Sequence, residues 1–128
     1  MNMNIEEFRD YTLSLDGVTE KMPFGKAASP YDRGLLVFSV ADKWFALVNV
    51  DQFDFCTLKS RPDDTGQLRA RYDIDIRPGW HMNKKHWISV TLNSSVPDSE
   101  IRRLVRASYD IVVASLTPRE RKQFFPEK

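Results

Sequence analysis

The sequence is poor in the groups from which most small catalytic sites are made. Its 128 residues include one cysteine and two histidines. A lone thiol, Cys56, closes no internal disulfide, which excludes a stapled secreted scaffold. His81 and His86 stand five apart, on opposite faces of a strand and well separated around a helix, so the spacing of a metal pair is missing. No second cysteine or His-Glu helical motif completes a zinc set, and Gly79 belongs to no glycine-rich phosphate loop. We expect neither metal nor cofactor. Long apolar runs are absent as well: the uncharged, largely apolar stretch 34–41 is far shorter than the roughly 20 residues of a membrane-crossing helix. The chain does not open on a charged leader followed by an apolar run, and together with the unpaired thiol this points to a reducing cytoplasm. A large net charge is also missing. The formal value of +1 offers no broad field toward nucleic acid, so any electrostatic recognition rests on local placement.

What is present describes an ordinary core. Apolar residues make up 41% and charged residues 29%, at a length that suits one domain over 1–128 with no internal repeat. The charge is unevenly spread. From 1 to 42 acids outnumber bases seven to four, whereas 77–87 holds Arg77, Lys84, Lys85 and both histidines without one acid.

Asn4, followed three residues on by Glu7, is set to cap a helix whose stripe is Ile5, Phe8, Thr12 and Leu15, with Gly17 at its end. Residues 18–33 contain Pro23, Gly25 and Pro30 and read as an irregular crossing with room for a short strand. β-Branched and aromatic runs at 35–40 and 44–50, separated by Ala41, Asp42 and Lys43, predict an antiparallel hairpin. A third strand is expected over 52–59, with Phe53, Phe55 and Thr57 on one face and Asp54, Cys56 and Leu58 on the other. Pro62 opens a short helix to about Tyr72, weakened by Gly66. Ile74 and Ile76, the Pro78-Gly79 turn signal and a strand over 87–92 follow. Pro97, Asp98 and Glu100 start a long helix with the stripe Ile101, Leu104, Val105, Ser108, Val112 and Leu116. Thr117, Pro118 and Glu120 form a second capping box before a short terminal helix. The expected order is α-β(3)-α-β(2)-α: an α+β two-layer sandwich in which an antiparallel sheet is flanked by helices.

One stretch concentrates chemistry. Residues 78–87 read Pro-Gly-Trp-His-Met-Asn-Lys-Lys-His-Trp. Lysines offer point charges to phosphate, an amide offers a donor and an acceptor to a base edge, and indoles offer faces for stacking. The structural alternative is that Trp80 and Trp87 anchor the loop in the core, Asn83 ties its own backbone and the lysines face water.

The same run resembles the hallmark of the MmcQ/YjbR family of small bacterial proteins. Shorter matches accompany it: Leu13-Ser14-Leu15-Asp16-Gly17-Val18-Thr19-Glu20, Pro23-Phe24-Gly25, Lys43-Trp44-Phe45-Ala46 and Leu58-Lys59. The resemblance implies an antiparallel sheet flanked by helices, similar to secretion-chaperone and frataxin-like folds. It also implies DNA binding, in which two hairpin wings approach a duplex; here these are 35–50 and 81–87. Residues 27–34, with Pro30, Tyr31 and Arg33, form a longer link before the first wing than is usual in the family.

Two functional expectations follow, both non-enzymatic. The first is a DNA-binding module in which Lys84, Lys85 and Arg77, with Lys43 and Lys59, meet phosphates, while Asn83 and Trp80 approach bases beside His81 and His86. With so small a net charge, that binding is weak and salt-sensitive. The second is a protein-interaction or chaperone-like module, monomeric or homodimeric, presenting a sheet face to a partner chain. Other groups have blander uses. Cys56 has the character of a small core residue, Asp73 and Asp75 stand near Arg71 and Arg77 as surface ion-pair partners, and Glu6, Glu7 and Asp10 are too few for an acidic iron-binding ridge.

Overall fold

In a computed structural model, residues 3–79 and 82–125 of the chain are described. The N-terminal helix α1 (Ile5–Leu13) starts where the spacing of Asn4 and Glu7 predicts, and the capping box is reciprocal: Asn4 Oδ1 accepts from Glu7 N at 2.8 Å, and Glu7 Oε1 accepts from Asn4 N at 3.0 Å. Gly17, at φ +77, then reverses the chain into β1 (Val18–Lys21). The proline-containing crossing holds one helical turn, α2 (Pro30–Arg33), before the strands β2 (Leu35–Val40), β3 (Lys43–Asn49) and β4 (Phe55–Lys59). Helix α3 (Pro62–Arg71) leads to β5 (Ile76–Pro78) and β6 (Trp87–Thr91), and α4 (Asp98–Ser115) and α5 (Pro118–Phe124) finish the chain.

The strands form one six-stranded sheet in the order β1-β2-β3-β4-β6-β5, with every neighbouring pair antiparallel. This is the expected α+β sandwich with one strand more than the sequence reading assigns. The sixth is β1, whose Val18-Thr19-Glu20-Lys21 shows a half-buried alternation only because β2 lies beside it. Strand β6 returns between β4 and β5, so α3 crosses from the sheet interior to its edge.

One sheet face carries the core. Phe8 of α1, Ile101, Leu104, Val105 and Val112 of α4, and Phe38, Val48, Cys56, Leu58, Ile88 and Val90 of the strands pack as one cluster. Every residue of the predicted α4 stripe is buried. A bulge shapes this face: Phe38 pairs with Ala46 but Ser39 with Trp44, leaving Phe45 as the extra residue. Phe45 therefore joins Ala46 on the helix side and meets Tyr109 edge-on at 5.6 Å between ring centroids. Two backbone groups beside the bulge are answered by one buried hydroxyl. Ser108 Oγ donates to Phe45 O at 2.5 Å and accepts from Lys59 N at 2.8 Å.

Two local expectations change. Phe53 does not share a face with Phe55; its φ of +44 breaks the alternation before β4 begins, and its ring turns into the main core against Phe8. Asp73 and Asp75 do not lie on a strand beside arginines. Asp75 is buried, and its carboxylate accepts from the backbone N–H and hydroxyl of Ser95.

Candidate functional site on the open sheet face

The second face of the sheet takes none of the long helical stripe. Strand register composes it row by row: Lys21, Val37, Leu47, Thr57, Ser89 and Arg77 lie side by side from β1 to β5. Trp87 follows from its pairing with Lys59, and Trp44 from its pairing with Ser39. Val37, Leu47 and Trp87 form a small second cluster, against which Phe24, Trp44 and Met82 pack. All six residues of β2 are buried because this layer covers the face that the helices do not.

Two segments fold onto the face from opposite sides. One is the crossing before β2. Ser29 caps α2 by accepting from Asp32 N at 3.4 Å, and Asn49 Nδ2 donates to Tyr31 O at 2.8 Å. Tyr31 Oη donates to Asp54 Oδ1 at 2.8 Å while its ring stacks on Phe55 at 6.1 Å. Burial and the neighbouring carboxylate push the Tyr31 phenol well above its ordinary value. The other segment is the β5–β6 loop, closed at its base where Gly79 N donates to Trp87 O at 2.9 Å. Between them lies a cleft of about 330 Å³ with walls of Phe24, Trp44, Phe55 and Met82, and with Leu35, Leu47, Thr57 and Asp32 completing it. Sequence reasoning did not find this cleft.

The residues named from the sequence divide in their placement. Trp80 and His81 lie outside the described residues. Lys84, Lys85 and His86 are exposed in the loop turn. Asn83 is exposed too, but its Oδ1 accepts from Lys85 N at 2.8 Å and its carbonyl from His86 N at 3.1 Å, so it shapes the turn that carries the lysines. Trp87 is buried beneath Lys59, whose Nζ sits 5.4 Å from the indole centroid. Arg77 is exposed at the sheet edge, its guanidinium 5.5 Å from the Phe55 centroid. Lys43 departs from the group. The alternation of β3 turns it to the helix side, where Nζ pairs with Glu120 Oε1 of α5 at 3.5 Å. The β2–β3 tip is thus Ala41-Asp42, and the first wing brings no unpaired lysine to the open face.

Cys56 is completely buried, and burial pushes its thiol up to about 12, far from a nucleophile's range. Among the described residues there is no group of three or more His, Cys, Asp or Glu arranged to hold a metal, and no helix is long and apolar enough to cross a membrane.

An antiparallel α+β sandwich with one helix-covered face and one open face, the latter holding an apolar cleft edged by cations, is the class these observations define. The chain belongs to the YjbR family, whose model matches residues 13–111. It is 34% identical over 122 residues to the uncharacterized protein YjbR of Escherichia coli K12, covering 94% of this chain and 96% of that one. YbdF of Escherichia coli O157:H7 is 34% identical over 107 residues, covering 83% of this chain and 87% of its own length. Among solved structures, Deinococcus radiodurans protein DR2400, with a DUF419 domain, superposes with a TM-score of 0.81 at 31% identity over 94% of this chain and 87% of that one. A Pseudomonas syringae protein gives 0.67 at 30% identity over 85% of this chain and 98% of its own. None of these names states an activity.

Proposed function

We propose that the chain is a non-enzymatic binding module that takes DNA phosphates along the basic edge of its open sheet face. One observation carries this reading. Lys59 and Arg77 lie across aromatic rings of that face, Lys84 and Lys85 stand exposed in the adjoining loop, and none of the four has an ion pair among the described residues. A cation resting on a ring keeps its charge available to a phosphate while its side chain is already ordered, which lowers the entropic cost of contact. Trp87 is buried and the Asn83 oxygen is used within its turn, so base reading has little to work with; the binding is governed by backbone charge and is weakly selective in sequence.

The test is a fluorescence titration of the tryptophans with a short duplex at several salt concentrations. Four phosphate contacts give a slope of log K against log salt of about −3.6, and Lys84→Ala with Lys85→Ala reduces its magnitude by about 1.8. A response independent of salt, or a slope untouched by the double substitution, overturns the reading.

A further inference from the structure

Phosphate binding at the rim leaves the cleft itself unused, and the cleft differs from the rim in charge. We infer that it is a binding site for a small apolar amine in its protonated form. Its volume of about 330 Å³ falls within the range of small-molecule sites, roughly 300–1,000 Å³. Phe24 and Trp44 meet edge to face at 5.7 Å and 86°, giving one wall a fixed aromatic surface, and Leu47 supplies an apolar floor. Asp32 is the one charged residue among the described lining residues. Its Oδ1 is buried and has no hydrogen-bond partner among the described residues, and no ion pair there includes its carboxylate.

That combination selects the ligand's chemistry. Asp32 is partly exposed, with one oxygen buried and unpartnered among the described residues, and as the single charge on an otherwise apolar wall it is the counter-charge that a ligand bringing N–H⁺ groups meets there. Aromatic faces attract a cation and discourage an anion, and an acidic ligand would also meet Asp32 as a like charge. The basic residues of the face stand at its border and do not line the cleft. The wall is built before any ligand arrives, because the Ser29 cap and the Asn49-to-Tyr31 hydrogen bond fix the turn that carries Asp32. The site is independent of DNA binding and stands whether or not a duplex is bound.

Three molecules of nearly one shape test it at neutral pH: phenethylamine, phenethyl alcohol and phenylacetate, titrated into the full chain while the Trp44 indole N–H is followed by NMR. The amine binds about tenfold more tightly than the alcohol, the difference expected of one charge-assisted hydrogen bond, and phenylacetate binds least. Asp32→Asn removes the amine's advantage and leaves the alcohol's affinity unchanged. Equal affinities for amine and alcohol, a preference for phenylacetate, a preference that survives Asp32→Asn, or no shift of the Trp44 signal at millimolar ligand each overturn the inference. Should Asp32→Asn fail to fold, the order of the three molecules on the unaltered chain decides.

Discussion

Single atoms hold several junctions of this molecule. Ser108 Oγ answers both the Phe45 carbonyl and the Lys59 N–H beside the bulge, so Ser108→Ala strands a buried acceptor and a buried donor. We expect a loss of about 2–4 kcal/mol in urea unfolding, and a change below about 0.5 kcal/mol would contradict that role. At Gly79 an added Cβ would stand 2.5 Å from Trp87 Cβ, so Gly79→Ala forces the loop base apart. Overpacking of this kind costs about 1–3 kcal/mol, read as a lowered melting temperature. Asp75 gives the fold an acid limit. Hydrogen bonds from Ser95 hold its carboxyl below the ordinary aspartate value. Its contribution is present above the unfolded-state value of about 3.9 and disappears as pH falls through the lower folded value. Ser95→Ala narrows that margin, so chemical denaturation at pH 7 and pH 3 should differ less in the variant than in the parent; an unchanged difference argues against the pair. The helical position of Ser108 is legible in the sequence as part of the α4 stripe, but its hydroxyl's use is not, because the bulge at Phe45 leaves no mark in residue pattern. The Asp75 reading failed for a similar reason: Arg71 and Arg77 are near in sequence, while Ser95 arrives only through the fold.

Elements are where local signals speak most clearly. Both capping boxes form as spaced, at Asn4–Glu7 and at Thr117–Glu120, because a cap is satisfied within four residues. The α4 stripe is buried throughout because one continuous period faces one sheet. Strand β1 was obscured because four residues give too short an alternation, and Phe53 was misplaced because a left-handed backbone turn interrupts the period. The β2–β3 turn shows sequence and geometry in mild conflict. Ala41 and Asp42 both adopt positive φ, at +52 and +60, a turn that favours Asn-Gly. Asp42→Gly should raise stability by about 1 kcal/mol by removing left-handed strain, measured as a shift of the urea midpoint. A loss of stability would mean that the Asp42 side chain contributes more than its backbone costs.

At the scale of the whole molecule, the open face is a product of register. Lys21, Val37, Leu47, Thr57, Ser89 and Arg77 come from six strands and meet only when all of them pair. The basic loop was legible because its cations are consecutive; the cleft was not, because Phe24, Asp32, Trp44 and Met82 are scattered along the chain. Lys43 shows the opposite error, since proximity in sequence to a wing does not tell which face its side chain takes. The direct test of the proposed binding face is to titrate the isotope-labelled chain with a short duplex and map the amide shifts. The account predicts changes concentrated at Lys59, Arg77, Lys84 and Lys85 and across the open row of the sheet, fading as salt is raised. Changes centred on α1, α4 or α5, or no changes at low salt, would contradict it.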